Sequence, residues 1–177
     1  ENNVAGMWIG GQGQTGLVVV RNNNGEDTVV LDGQAGDVSL LGADCAEEFD
    51  IVETEEIDPG SVVVLSPDGK LRQCTEPYDR NVAGVISGAG EYKPGIVLDR
   101  RGPKEYRRPL AMVGKAYVKA DARPCSIKVG DILTTSSTLG HAMKASDHAK
   151  AFGAVLGKAL LPLDQGQDLI PILVMRQ

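Results

Sequence analysis

Glycine sets the first limit on this chain. Twenty-two of its 177 residues are Gly. In residues 1–41 they recur at Gly6, Gly10, Gly11, Gly13, Gly16, Gly25, Gly33 and Gly36, cutting the apolar residues into runs of four or five. Segments 17–20, 28–31 and 37–41 read as strands. The run Asn22-Asn23-Asn24-Gly25 and the pair Asp32-Gly33 read as the turns between them, because Asn and Gly accept positive φ cheaply. Strands this short lack the side-chain volume to bury a core alone. The pattern therefore predicts a short intertwined β stalk over residues 1–41 that stacks with other copies of itself, hence a homo-oligomer. The alternative is an irregular arm lying on the rest of the chain.

Residues 42–177 read as a second, globular β domain. Val- and Ile-rich runs recur at 49–52, 61–65, 71–75, 82–86, 95–98, 110–118, 126–129, 131–135, 141–144, 152–156 and 169–175, separated by Gly, Pro, Asp and Ser. A single helical turn is expected near 145–150, with Ser146-Asp147 able to cap it. The fold class is all-β, with the domain a small barrel or sandwich. An internal repeat is also expected. Segment 58–66 matches 128–136, each with Gly, a small polar residue, a β-branched run and Ser. Each continues to a G-x-x-x-G strand, Gly84–Gly88 and Gly153–Gly157.

Composition narrows the function classes. The net charge is −6, and the eight acids Asp44, Glu47, Glu48, Asp50, Glu53, Glu55, Glu56 and Asp58 account for more than all of it. An acidic chain argues against nucleic acid, which needs clustered Lys and Arg to neutralise phosphate. No apolar run approaches the roughly 20 residues that span a bilayer. Basic residues concentrate in one stretch, Arg100, Arg101, Lys104, Arg107 and Arg108. The two charged segments are either separate solvated loops, or they meet, or the basic one holds an anion. With seven aromatic residues and Trp8 the one Trp, stacking platforms for a glycan are scarce. Glu1 is not a Met, so the chain is expected to be a piece of a longer protein or a processed form.

Few motifs carry chemistry. Cys45, Cys74 and Cys125 are widely spaced with no C-x-x-C, so they read as reduced thiols packed as small hydrophobes, and no metal or cofactor is expected. Gly11-Gln12-Gly13-Gln14-Thr15-Gly16 spells a dinucleotide loop, but no helix follows it. Ser136-Ser137-Thr138 near His141 reads as a polar turn, because no acid orients the imidazole. The sharpest candidate is Gly42-Ala43-Asp44-Cys45-Ala46-Glu47-Glu48-Phe49, at the joint between the two segments. Asp44 and Glu47 are close enough in sequence to share a site. Packed together, two carboxylates push their pKa values apart and can act as base and acid on a peptide bond or a water. The bland reading is a solvated acidic linker.

That octapeptide resembles the G-A-D-Y-A-E-x-F-E signature that opens the C-terminal autoproteolytic, intramolecular-chaperone domain of phage tailspike and neck-appendage proteins, the G2 peptidase family. Val62-Val63-Val64-Leu65-Ser66-Pro67-Asp68-Gly69-Lys70-Leu71 is similar to that family's F-V-T-L-D-G-x-K-I. Val82-Ala83-Gly84-Val85-Ile86-Ser87-Gly88 is similar to its I-L-G-I-V-S-G. The resemblance covers roughly residues 42–160, with Cys45 standing at the signature Tyr. It implies a domain that ends a trimeric β-helical fibre and promotes its assembly, in a virion, a phage-like particle or a secreted spike. It also implies Asp44 and Glu47 as the pair behind a self-cleavage just before Asp44. The expectations carried forward are a homotrimer joined to an upstream fibre of the same chain, with self-cleavage or anion or glycan binding as alternatives.

Overall fold

The structure, a computed structural model, describes residues 7–10, 16–53, 56–102 and 106–175. It is all-β, with one helical turn. The chain divides into two compact units, residues 1–42 and 43–177.

The first unit is an antiparallel meander of β1 (Met7–Gly10), β2 (Leu17–Arg21), β3 (Asp27–Asp32) and β4 (Asp37–Leu40). Its turns use the expected chemistry. Asn22 Oδ1 accepts from the backbone N–H of Asn24 and Glu26, and Gly25 takes φ +81°. At the next turn Asp32 Oδ1 accepts from the N–H of Gln34 and Ala35, so the positive φ falls at Gly36 rather than at Gly33. The described residues of this unit form one sheet and no second layer.

The second unit is built on a closed barrel of five strands. Around it run β10 (Arg107–Asp121), β12 (Ala142–Lys144), β11 (Ile132–Thr135), β13 (Val155–Ala159) and β14 (Gln167–Val174), and the β12–β10 pairing closes the ring. β10 is fifteen residues long and serves β5 as well as its two barrel neighbours. Its second half pairs with β14; its first half leaves the barrel and pairs with β5 (Asp44–Asp50). β5 in turn holds the edge strand β9 (Pro94–Leu98) in parallel. A separate sheet of β7 (Leu71–Gln73), β6 (Val62–Leu65) and β8 (Val82–Val85) lies against these.

Two cores follow from this layering. Val62 and Val64 of β6 join Val118, Leu133, Leu156 and Ile172 in the barrel cluster. Val63, between them, points the other way and packs with Ile51, Ile57, Leu71, Ile86 and Leu110. β6 is thus buried on both faces, which is why its sequence is an unbroken Val run rather than an alternation.

Most expected strands are present, with three shifts. The strand expected at 49–52 is β5, which starts five residues earlier, at Asp44, and ends at Asp50. Segment 126–129 is no strand; buried Ile127 makes one bridge to Leu163. Segment 152–156 begins later than expected, because Phe152 ends the turn α1 (His148–Ala151), whose N-cap is Asp147, and β13 starts at Val155. The two segments matched in the sequence each place a central strand between two antiparallel neighbours, β7-β6-β8 and β12-β11-β13. The pairing aligns Gly84, opposite Val63, with Gly157, opposite Leu133, whereas the sequence comparison matched Gly84 to Gly153.

Gly114 is the pivot of β10, paired with Val174 on one side and Asp44 on the other. Its φ is +116°, and a Cβ would lie 2.6 Å from the Ala43 carbonyl oxygen and 2.8 Å from Asp44 Cα. Both contacts are with backbone, which cannot swing aside. Gly114→Ala is expected to destabilise the protein by about 2–4 kcal/mol, measured as a lower denaturant midpoint with an unchanged slope.

Candidate functional site

The acidic signature is a strand, and that decides what its carboxylates can do. Burial alternates along β5, with Asp44, Ala46 and Glu48 inward and Cys45, Glu47 and Phe49 on the other face. Asp44 and Glu47, three residues apart, therefore point to opposite sides of the sheet. The structure does not bring this pair together within one chain. The second buried acid of β5 is Glu48.

Asp44 opens the strand in a tight setting. Ala43, just before it, is clamped from both sides: its N–H donates to Lys93 O at 2.8 Å and its carbonyl accepts from the Lys115 N–H at 3.1 Å. The Asp44 side chain is 6% exposed. Its Oδ1 accepts from the Ser87 hydroxyl at 2.9 Å, and its Oδ2 has no hydrogen-bond partner. Ser87 is itself fixed, its N–H donating to Pro109 O. Burial pushes the Asp44 carboxyl above the ordinary carboxylate range, and the Ser87 hydrogen bond draws it only part of the way back. A raised carboxyl of this kind can hold a proton at pH values where an ordinary Asp has lost it. Sequence reasoning named Asp44 but missed Ser87 and Gly114. The signal for both lay in the strand pairing, which a single sequence does not display.

The acidic and basic segments meet. β5 and β10 pair Asp50 with Arg107, so the charges are brought opposite by the backbone register. Arg107 Nη1 bonds Asp50 Oδ1 at 2.8 Å and its Nη2 bonds Asp99 Oδ2 at 2.7 Å, while its Nε faces buried Glu48 Oε2 at 3.7 Å. Arg100 Nε reaches the other Glu48 oxygen at 3.3 Å, and Arg101 pairs with Asp99. Burial pushes the Asp99 carboxyl up, but Arg101 and Arg107 together outweigh it and hold it below the ordinary range. Arg108 donates to Ile57 O at 2.9 Å. Lys104 lies outside the described residues, as do Glu55 and all but the last residue of the Gly11–Gly16 run. An open cavity of about 340 Å³ beside this network is lined by Lys70, Arg101 and Arg107, but also by Asp50 and Glu53. Arg100, Arg101 and Arg107 thus pair with carboxylates of the same chain, and Arg108 with a backbone carbonyl.

The remaining candidates are structural. The three cysteines are unpaired, and Cys74 is buried with its Sγ toward His141 O. His141 Nδ1 lies 2.7 Å from Leu139 O, and Ser136 Oγ accepts from the Thr138 N–H, so this is the polar turn the sequence predicts. It has one further task. The Thr138 hydroxyl donates to buried Asp121, which Arg123 also grips through Nε and Nη2, tying the end of β10 to the β11–β12 turn. No sequence signal marked Asp121.

No protein family matches the sequence, and no curated protein matches it. The fold, however, has known counterparts. It resembles that of a bacteriophage protein. The crystal structure of the pre-mature bacteriophage phi29 gene product 12 superimposes with a TM-score of 0.56 at 15% identity, over 84% of this chain and 24% of that one. The crystal structure of the C-terminal fragment of the same gene product superimposes with a TM-score of 0.52 at 16% identity, over 75% of this chain and 100% of the fragment. The chain thus spans about a quarter of the longer protein and matches the whole of its C-terminal fragment.

The setting of Asp44 has a pH signature. An acid whose folded pKa exceeds its unfolded value, about 3.9 for Asp, favours folding only while protonated. That contribution is complete below the unfolded pKa and is lost as pH rises toward the raised folded value. Relative to Asp44→Asn, the wild type should lose stability as pH rises above the ordinary Asp range, and Ser87→Ala should extend the loss to higher pH. Denaturant titrations at stepped pH read this directly; parallel curves for wild type and Asp44→Asn would contradict it.

Proposed function

We propose that this chain is the C-terminal assembly unit of a phage or phage-derived fibre, appendage or spike protein, acting as a homotrimer in a virion or phage-like particle. Residues 1–42 are the end of the fibre, continuous with an upstream fibre of the same chain, and residues 43–177 are the domain that gathers three chains. The observation that carries this reading is the match to the whole length of a phage protein's C-terminal fragment. The N-terminal unit supports it, since its described residues form a four-stranded sheet with no second layer, which calls for partner chains. The recurring three-strand pattern in the second unit supports a duplicated origin for that domain. Among the described residues no helix is long and apolar enough to cross a membrane.

A second reading has one specific observation in its favour. Asp44, buried with an unpartnered oxygen, directly follows the boundary between the two units, where the family resemblance places a self-cleavage. A neighbour described as pre-mature fits a protein that is processed. In this reading Asp44 is the proton-holding group. Glu47, on the far face of β5, would act across a chain boundary.

The assembly role predicts that residues 1–42 alone are monomeric and lack strand signal in circular dichroism, while the whole chain is assembled. A 1–42 peptide that assembles on its own at the same concentration would contradict it. Self-cleavage predicts a new N-terminus close to Asp44 on prolonged incubation, absent in Asp44→Asn. An unchanged intact mass would leave assembly as the only role.

A further inference from the structure

We propose that an apolar cleft in the second unit, between the three-strand sheet and the barrel, is a binding site for a neutral, largely apolar small molecule. This goes beyond the assembly and self-cleavage readings and uses none of their residues.

Three strands break register at this cleft. In β8 the pairing with β6 passes from Gly84 to Val82 and skips Ala83. In β13 the pairing with β11 passes from Gly157 to Val155 and skips Leu156. In β10 the pairing with β5 passes from Ala111 to Val113 and skips Met112. Ala83, Leu156 and Met112 all line the one cleft. A bulge bends its strand and re-aims side chains, and bulges gather beside functional sites. A single bulge is ordinary in a β domain. Here three of them, from strands of two different sheets, shape one hollow. The two G-x-x-x-G segments singled out in the sequence meet here as well, since their first glycines, Gly84 and Gly153, both lie on its wall.

The lining sets the class of ligand. Ala111, Leu156 and Val174 belong to the barrel cluster, while Ala83 and Met112 pack on the second cluster, so the cleft is the seam between the two cores. Among the described residues lining it, no side chain is charged or carries a hydroxyl or amide. An ion placed there would give up water and meet no partner, so the ligand is neutral. Main-chain groups are the polar atoms available to orient it. Met112 and Met175 form part of the wall, and methionine adapts to the shape of a guest.

Size narrows the class further. The volume is about 330 Å³, at the small end of the roughly 300–1,000 Å³ of ligand sites. At the ~30 Å³ that a water molecule takes up in the liquid, it holds about ten non-hydrogen atoms. A helix, about 10–12 Å across, does not fit. A molecule seated there would touch β8 on one side and β10, β13 and β14 on the other, tying the sheet to the barrel.

The probe is 1-octanol, and the cleft carries its own reporters. The chain has four methionines, of which Met112 and Met175 line the cleft. In NMR spectra of the 177-residue chain with methyl-labelled methionine, octanol should shift Met112 and Met175 saturably and leave Met7 and Met143 in place. The expected Kd is below about 1 mM. Octanoate, the same chain length with a charge, should bind at least about tenfold more weakly. Ala83→Leu fills the cleft and should weaken octanol binding about tenfold or more, with strand signal in circular dichroism retained. If that variant loses strand signal, Val155→Phe takes its place with the same expected loss. No shift at Met112 and Met175, as when a side chain of another copy already fills the cleft, would overturn the proposal. All four methionines moving together would overturn it too. Octanoate binding as well as octanol would overturn the neutral class, and undiminished binding in the filled variant would overturn the site.

Discussion

A β-sheet has two faces, and a single four-stranded sheet has nothing of its own to put against either. The described residues of the N-terminal unit are in this position. Its strands are four to six residues long, its turns are well specified, and its described residues form one layer. Hydrogen bonding between strands gives little net stability in water, because the unfolded chain bonds to solvent instead. Ordering Gly-rich backbone costs about 1–2 kcal/mol per residue. Apolar burial has to offset that cost, and the sheet's own Val and Leu can be buried only by another layer. The assembly role proposed for the molecule depends on this shortage.

The second unit has the opposite economy. Its barrel closes on itself through β10 and β12, its hairpin sheet is buried on both faces of β6, and two apolar cores result. β10 extends this self-sufficiency beyond the barrel. Beyond Gly114 it captures β5, so the strand that opens the unit is held by backbone pairing on both edges. Glu48 and Arg107 then face each other away from solvent. Such a pair is expensive to desolvate and gains little net stability, but leaving either member alone would cost more. Its value is in register, because a one-residue slip of β5 would part Asp50 and Glu48 from Arg107.

The fold class, most strands and the turn chemistry of the first unit were legible from residue types and spacing alone. The meeting of the acidic and basic segments was one of the alternatives the charge pattern raised, but only the β5–β10 register shows which groups pair. The candidate site was half legible. Asp44 stood out through a resemblance, yet reading its segment as a joint made Glu47 look like its partner. Read as a strand, the same residues follow a period of two, which puts Glu48 on the Asp44 side and Glu47 on the other. The acid-rich composition hid the strand, because Asp and Glu are poor strand formers and only the flanking β9 and β10 overrule that preference. Ser87 and Gly114 were beyond local reasoning, since they come from distant parts of the chain. The partners of the basic segment were illegible for the same reason: Arg100 and Arg107 meet Glu48 and Asp50, which lie far away in sequence. The Gly84 and Gly157 correspondence was missed because similar G-x-x-x-G spacing suggested a different alignment from the one the bulged pairing selects.

The central claim is that the apolar demand of the first unit is met by other copies of the same chain. The most direct measurement is the mass of this 177-residue chain in solution by light scattering across a wide concentration range at neutral pH. The account predicts a mass of three chains that holds on dilution well below micromolar. A mass of one chain, with strand content intact, would contradict it.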